Sequence, residues 1–160
     1  MRITRAAAII SAAVITAASV AGCSTARASA TSSIAATAAY VQVPSAPGKT
    51  TVGYVDIRNT GSASDELLSV ATSVGGTVQL RGPESPGAPV IMHTVPDIDI
   101  PAGTMVQLVP NSYHLLITGA RPLVDGKDIT LSLKFARAGT VTVIALVTNP
   151  SNGGSSYFLN

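Results

Sequence analysis

Both histidines of this 160-residue chain, and every methionine except the initiator, fall between positions 91 and 116: Met92, His93, Met105 and His114. Imidazole and thioether groups are the donors that suit soft metal ions, Cu(I) above all, whereas harder divalent ions prefer oxygen ligands. Two plainer readings stand beside this one. Met92 can fill a gap in an apolar core, a common use of methionine, and His114, next to Tyr113, can be a satisfied histidine on a half-exposed strand.

The lone cysteine limits the alternatives. The chain opens MRITRAAAIISAAVITAASVAGCSTA, a short basic start (Arg2, Arg5), an apolar run over residues 6–20 and then small residues. That is the pattern of a secretory signal, too short and too alanine-rich for a membrane span. Its end, VAGC, resembles the bacterial lipobox, in which the cysteine is acylated and becomes the mature N-terminus. Residues 1–22 are therefore expected to be a lipoprotein signal peptide and Cys23 a lipidated residue, placing the protein on the extracytoplasmic face of the cell membrane. Each buried methylene of an acyl chain contributes ~0.8 kcal/mol, so two or three chains anchor a protein stably. With Cys23 acylated the folded part has no thiol, which excludes disulfides, cysteine-based zinc sites and blue copper with its His₂Cys ligation.

Processing also removes the apparent basicity. Of ten Lys/Arg, Arg2 and Arg5 belong to the signal, and the eight that remain balance eight Asp/Glu. A neutral, charge-poor domain without tryptophan offers no electrostatic footprint or stacking platform for nucleic acid.

The elements that must position the soft ligands are strands. Residues 23–38, rich in Ser, Thr and Ala with one charge, read as a flexible tether, and residues 149–160 (NPSNGGSSYFLN) as a loose tail. Between them, residues 39–148 suffice for one domain with one core. AYVQV, TVGYVDIR, ELLSVAT, GTVQLR, TMVQLV, YHLLIT, DITLSLKF and GTVTVIALV are short, β-branched and largely alternating. Turn residues separate them (NTGSASD, SVGG, PAG, PNS, VDGKD, RAG). This predicts an all-β antiparallel sandwich or partly closed barrel. Ile129, Leu131, Leu133 and Phe135 are expected on the core face, as are Val141, Val143 and Ala145.

With these segments laid out, residues 54–147 resemble the PCuAC family of extracytoplasmic copper chaperones. The stretches that carry the resemblance are VGYVDIRNTGSASDELLSV, TVQL, VPDIDIPAGTMVQLVPNSYHLLITG and LSLKFARAGTVTVIALV. The resemblance implies a cupredoxin-like β-sandwich that binds Cu(I) and passes it to an acceptor such as a respiratory oxidase copper centre, with no small-molecule substrate. The family's ligands follow the pattern His, ten residues, Met, twenty-one residues, His-x-Met, which falls here on Arg81, Met92, His114 and Leu116 without a gap. Met92 and His114 are kept; arginine and leucine stand in the other two positions.

Arg81 cannot be a ligand, and its guanidinium at ~6 Å from an ion would repel Cu(I) by about 2.8 kcal/mol at effective dielectric ~20. Two residues are candidates to compensate. If VPNS is a hairpin loop pairing Gln107 with His114, Met105 lies beside Leu116 and supplies a thioether there. His93 follows Met92 directly and points away from it in an extended chain, but toward it near a loop.

The substitutions at Arg81 and Leu116 keep a second function open, an envelope lipoprotein that uses the sandwich as a binding or scaffolding module without metal. An enzyme is not expected: SVGG and SNGGSS lack a nucleophile elbow, and no serine is spaced with a histidine and an acid. Asp97 and Asp99, in PDIDIPAG, read as solvated acids flanking a turn with Ile98 and Ile100 inward.

Overall fold

The computed structural model describes residues 29–46, 50–83 and 91–152. Ten strands follow one another: β1 (Ile34–Gln42), β2 (Thr51–Asn59), β3 (Asp65–Thr72), β4 (Thr77–Pro83), β5 (Met92–Thr94), β6 (Ile98–Ile100), β7 (Met105–Leu108), β8 (His114–Thr118), β9 (Asp128–Phe135) and β10 (Thr140–Thr148). All eight expected strands are present. The two additional ones, β5 and β6, are three residues long and cap the two ends of the sheet, too short for a period of two to register in sequence.

Hydrogen bonds link the strands in the order β5-β4-β8-β2-β1-β10-β9-β3-β6. In a flat sheet the six steps from β4 to β3 would separate them by about 29 Å at ~4.8 Å per step. Yet residues 73–76 alone join Thr72 to Thr77, a link that reaches ~18 Å at most. The sheet must therefore curl on itself, and it closes into a partial barrel around one core. Gly75 (φ 73°) and Gly76 (φ 87°) make that link possible in a conformation that disfavours a side chain. The pairing is antiparallel throughout except between β1 and β10, which run parallel.

The core is the inward face of this curl. Ile129, Leu131, Leu133, Phe135 and Ala145 are buried as alternation predicts, joined by Val41, Val55, Ile57, Leu67, Ile98, Ile100, Leu115 and Ile117; Val141 and Val143 pack against them half-buried. Asp99, by contrast, is exposed in edge strand β6, so the acids of DID bracket Ile98 in and before a strand rather than at a turn.

The N-terminal boundary differs from the sequence reading. Residues 34–38 were expected in the tether but form the start of β1, paired from Ile34↔Asn59 to Thr37↔Asp56. Two buried polar side chains explain this. Asn59, fully buried, accepts from the Ser33 and Gly61 amides and donates to the Ala63 and Ile100 carbonyls. Asp65, 2% exposed, accepts from Ser32 Oγ (2.7 Å) and from the amides of Arg137, Ala138 (both 2.8 Å) and Glu66 (2.9 Å). Burial is the largest single influence on the Asp65 carboxyl and raises its pKa, but the four donors together outweigh it and hold the group below its usual value. The residues before β1 thus belong to the fold. At the other end, residues expected in the tail form a short 3-10 helix, Pro150–Asn152. The signal segment, Cys23 and residues 153–160 lie outside the described residues.

Candidate metal centre

The four positions of the family's ligand pattern come from three adjacent strands, β5, β4 and β8. Register fixes their face. Arg81 of β4 stands opposite His114 of β8 and opposite Thr94 of β5; Pro83 stands opposite Met92, and Gln79 opposite Leu116. Cross-strand partners share a face, as do residues two apart on one strand. Arg81, Met92, His114 and Leu116 therefore all project from the outer face, and each is half-buried. Met92 and His114 are two strands apart and offset by two residues, about 12 Å between Cα atoms in a regular lattice. The two side chains would have to lean toward each other across Arg81 to share an ion over that distance.

The backbone prepares His114. Val109, Pro110, Asn111 and Ser112 form a turn closed by the Ser112 amide on the Val109 carbonyl (3.1 Å), with Asn111 at φ 64°. Proline second and a positive-φ asparagine third are the signature of a type II turn. The Ser112 carbonyl then lies 3.0 Å from His114 Nδ1. A carbonyl can only accept, so Nδ1 carries the proton in this bond, and in the neutral ring Nε2 then keeps its lone pair. This is how metal-binding histidines are commonly oriented, by a hydrogen bond from the other ring nitrogen. On its flank the ring meets Tyr54 at 6.5 Å between centroids. Tyr54 in turn packs on Tyr40 at 4.9 Å, and burial raises the hydroxyl pKa of both.

Arg81 is turned the other way. Its guanidinium donates to Thr94 Oγ1 (3.0 Å) and to the Met92 carbonyl, both on β5. These bonds draw the charge over the edge strand and away from β8. Neither Thr94 nor the Ser112 carbonyl was picked out in the sequence. Thr94 was within reach of reasoning, because it sits two residues from Met92 and hence on its face; a backbone carbonyl leaves no mark in a sequence.

The two compensating candidates do not join the site. The VPNS turn does not join a β7–β8 hairpin, because β7 and β8 both pair with the same edge of β2: Arg58↔Met105 through Val55↔Leu108, then Gly53↔Leu115 through Thr51↔Ile117. Residues 109–113 bulge out of what is otherwise one long strand. Met105 keeps the outer face but stands six β2 residues from Leu116, about 20 Å, and four from His114's level, about 13 Å. His93 pairs with Gly82, between Met92 and Thr94 in an extended strand, and so takes the opposite face.

A cleft of about 510 Å³ lies elsewhere, between the ends of β1, β2 and β10; among the described residues its lining, which includes Gln42, Thr50 and Asn149, has no titratable side chain.

The family model described as "LpqE-like: Putative lipoprotein LpqE-like" matches residues 34–147. The chain belongs to the LpqE-like family. The chain is also similar to "Putative lipoprotein Lxx21020" of Leifsonia xyli subsp. xyli, 28% identical over 109 residues, which are 67% of this chain and 66% of that protein; the chain thus spans about two thirds of that relative. Among solved structures, the apo PCuAC domain from PmoF1 superposes with a TM-score of 0.64 at 21% identity, over 73% of this chain and 94% of that one. The Cu(I) form of DR1885 from Deinococcus radiodurans gives 0.57 at 27% identity, over 69% and 74%. This LpqE-like chain has the PCuAC fold, as the sequence resemblance implied.

Proposed function

We propose that the protein is an extracytoplasmic copper-binding lipoprotein, anchored through Cys23, that holds Cu(I) between Met92 Sδ and His114 Nε2 and hands it to a cuproprotein. The observation that carries this reading is the His114–Ser112 hydrogen bond, which leaves Nε2 as the donor nitrogen on the face that Met92 shares. The donor set fits the ion: a thioether and a neutral imidazole suit Cu(I), which accepts two ligands in a line. Among the described residues no group of three or more His, Cys, Asp or Glu side chains gathers to hold a metal. A site without a thiolate also yields copper readily to an acceptor that has one, which suits delivery. The Cu(I) carried by DR1885, at 27% identity, supports the same cargo here. A respiratory oxidase copper centre is the acceptor that the resemblance implies.

Arg81 and Leu116 favour a second reading, a sandwich that has lost its metal and serves as a binding module. One experiment separates the two. The chain with Cys23→Ser is titrated anaerobically with Cu(I) against a coloured chelator, beside a Met92→Leu/His114→Ala variant. One equivalent of copper withheld by the first and not by the second establishes the site; equal failure of both leaves the metal-free reading.

A further inference from the structure

The Met92/His114 frame has a fixed positive charge in its middle. A guanidinium stays protonated at any physiological pH, and Arg81 is half-buried and tied by two hydrogen bonds to β5 rather than left to swing in solvent. Among the described residues, the carboxylate nearest in register on the same face is that of Asp56, which lies two residues beyond Tyr54 and accepts from Gln107 at 3.1 Å. Donor type alone discriminates weakly between the oxidation states of copper. Imidazole binds Cu(II) well, at the top of the divalent series, and only the thioether leans toward Cu(I). Charge adds a second criterion, because repulsion from Arg81 scales with the charge of the ion.

We propose that Arg81 is a specificity-determining residue that biases this site toward a monovalent ion, so that bound copper is held as Cu(I). The inference rests on the copper reading above. An ion over β4 and a guanidinium drawn onto the adjacent β5 are about one strand spacing apart along the sheet, ~6 Å with the ion raised above it. At an effective dielectric of ~20 this costs about 100-fold in affinity per unit of ionic charge. Cu(I) loses that factor once and Cu(II) loses it twice. The remaining factor of about 100 raises the reduction potential of bound copper by about 120 mV, at 59 mV per tenfold for one electron. The arginine thus weakens the site and at the same time fixes the oxidation state that a Cu(I) acceptor needs.

The test is voltammetry of the copper-loaded chain, with Cys23→Ser so that no thiol competes. Wild type, Arg81→Gln, Arg81→Lys and Met92→Leu/His114→Ala are compared at low salt and at 1 M. Arg81→Gln is expected to lower the potential by about 120 mV at low salt, at 59 mV per tenfold, and by less at 1 M, where the Debye length is ~3 Å; Arg81→Lys keeps the wild-type value. An unchanged potential in Arg81→Gln, with copper still displaced by the double substitution, overturns the role of Arg81 and leaves the site standing. Copper that behaves alike in wild type and double variant removes the site itself, and the inference with it.

Discussion

Arg81 and His114 face each other across the β4–β8 pair, and the arginine turns its charge from the imidazole to the Met92 carbonyl and Thr94 hydroxyl of β5. Three strands thus meet around one residue that cannot bind a metal, with a possible ligand on either side. The consequences can be measured strand by strand.

His114 and Met92 are half-buried on the outer face, so their loss should spare the fold. His114→Ala and Met92→Leu are each expected to weaken Cu(I) binding by at least about tenfold, ~1.4 kcal/mol. Circular dichroism and the urea midpoint should stay near wild type. Loss of binding together with loss of folded signal would assign these residues to the core instead.

Met105→Leu and His93→Ala should leave Cu(I) affinity within about twofold, since register places the first about 13 Å along β2 and the second on the other face. A larger fall in either variant would mean that the β2–β7 or β4–β5 pairing differs from the one described.

Leu116→Met should strengthen binding. Leu116 shares His114's face and is half-buried, and a leucine-to-methionine exchange usually costs under ~1.5 kcal/mol of stability. A third soft donor is expected to raise Cu(I) affinity about tenfold or more. No gain would show that position 116 does not reach the ion.

Gly82 tests how His114 is held. A Cβ there would stand 2.5 Å and 2.7 Å from Cε1 and Cδ1 of the Tyr113 ring. Gly82→Ala must therefore displace Tyr113, the residue before His114, at ~1–3 kcal/mol for overpacking. Misorienting a ligand in this way typically costs 10–100-fold in metal affinity. Copper titration and urea unfolding of the same variant read both effects.

Asp65 sets a pH dependence of stability. Its carboxyl titrates lower in the folded chain than its unfolded value of ~3.9, so its contribution is complete above that value and is lost as pH falls through the folded one. The urea midpoint should drop as pH is lowered from 5 toward 2. Asp65→Asn should remove part of that drop and cost about 2–4 kcal/mol at pH 7, because amides that now donate to a carboxylate lose acceptors. An unaltered pH profile in the variant would move the acid sensitivity elsewhere.

Much of this architecture was written in local pattern. The alternation of Ile129, Leu131, Leu133 and Phe135 is a property of one strand read by itself, and it set the core face correctly. The spacing that puts Met92 and His114 in the family's frame is likewise countable along the chain, and the structure gathers all four positions of that frame on one face. What stayed hidden depends on partners distant in sequence. Residues 34–38 resemble a linker because their composition is that of one; they become a strand because Asn59 and Asp65 anchor the chain just before them. Met105 read as a neighbour of Leu116 because a turn between two strands suggests a hairpin, yet here β2 recruits both strands to one edge. Which residues alternate is decided by the bond geometry of each strand. Which strand lies beside which is decided only when the sheet closes and every buried polar group must find its partner.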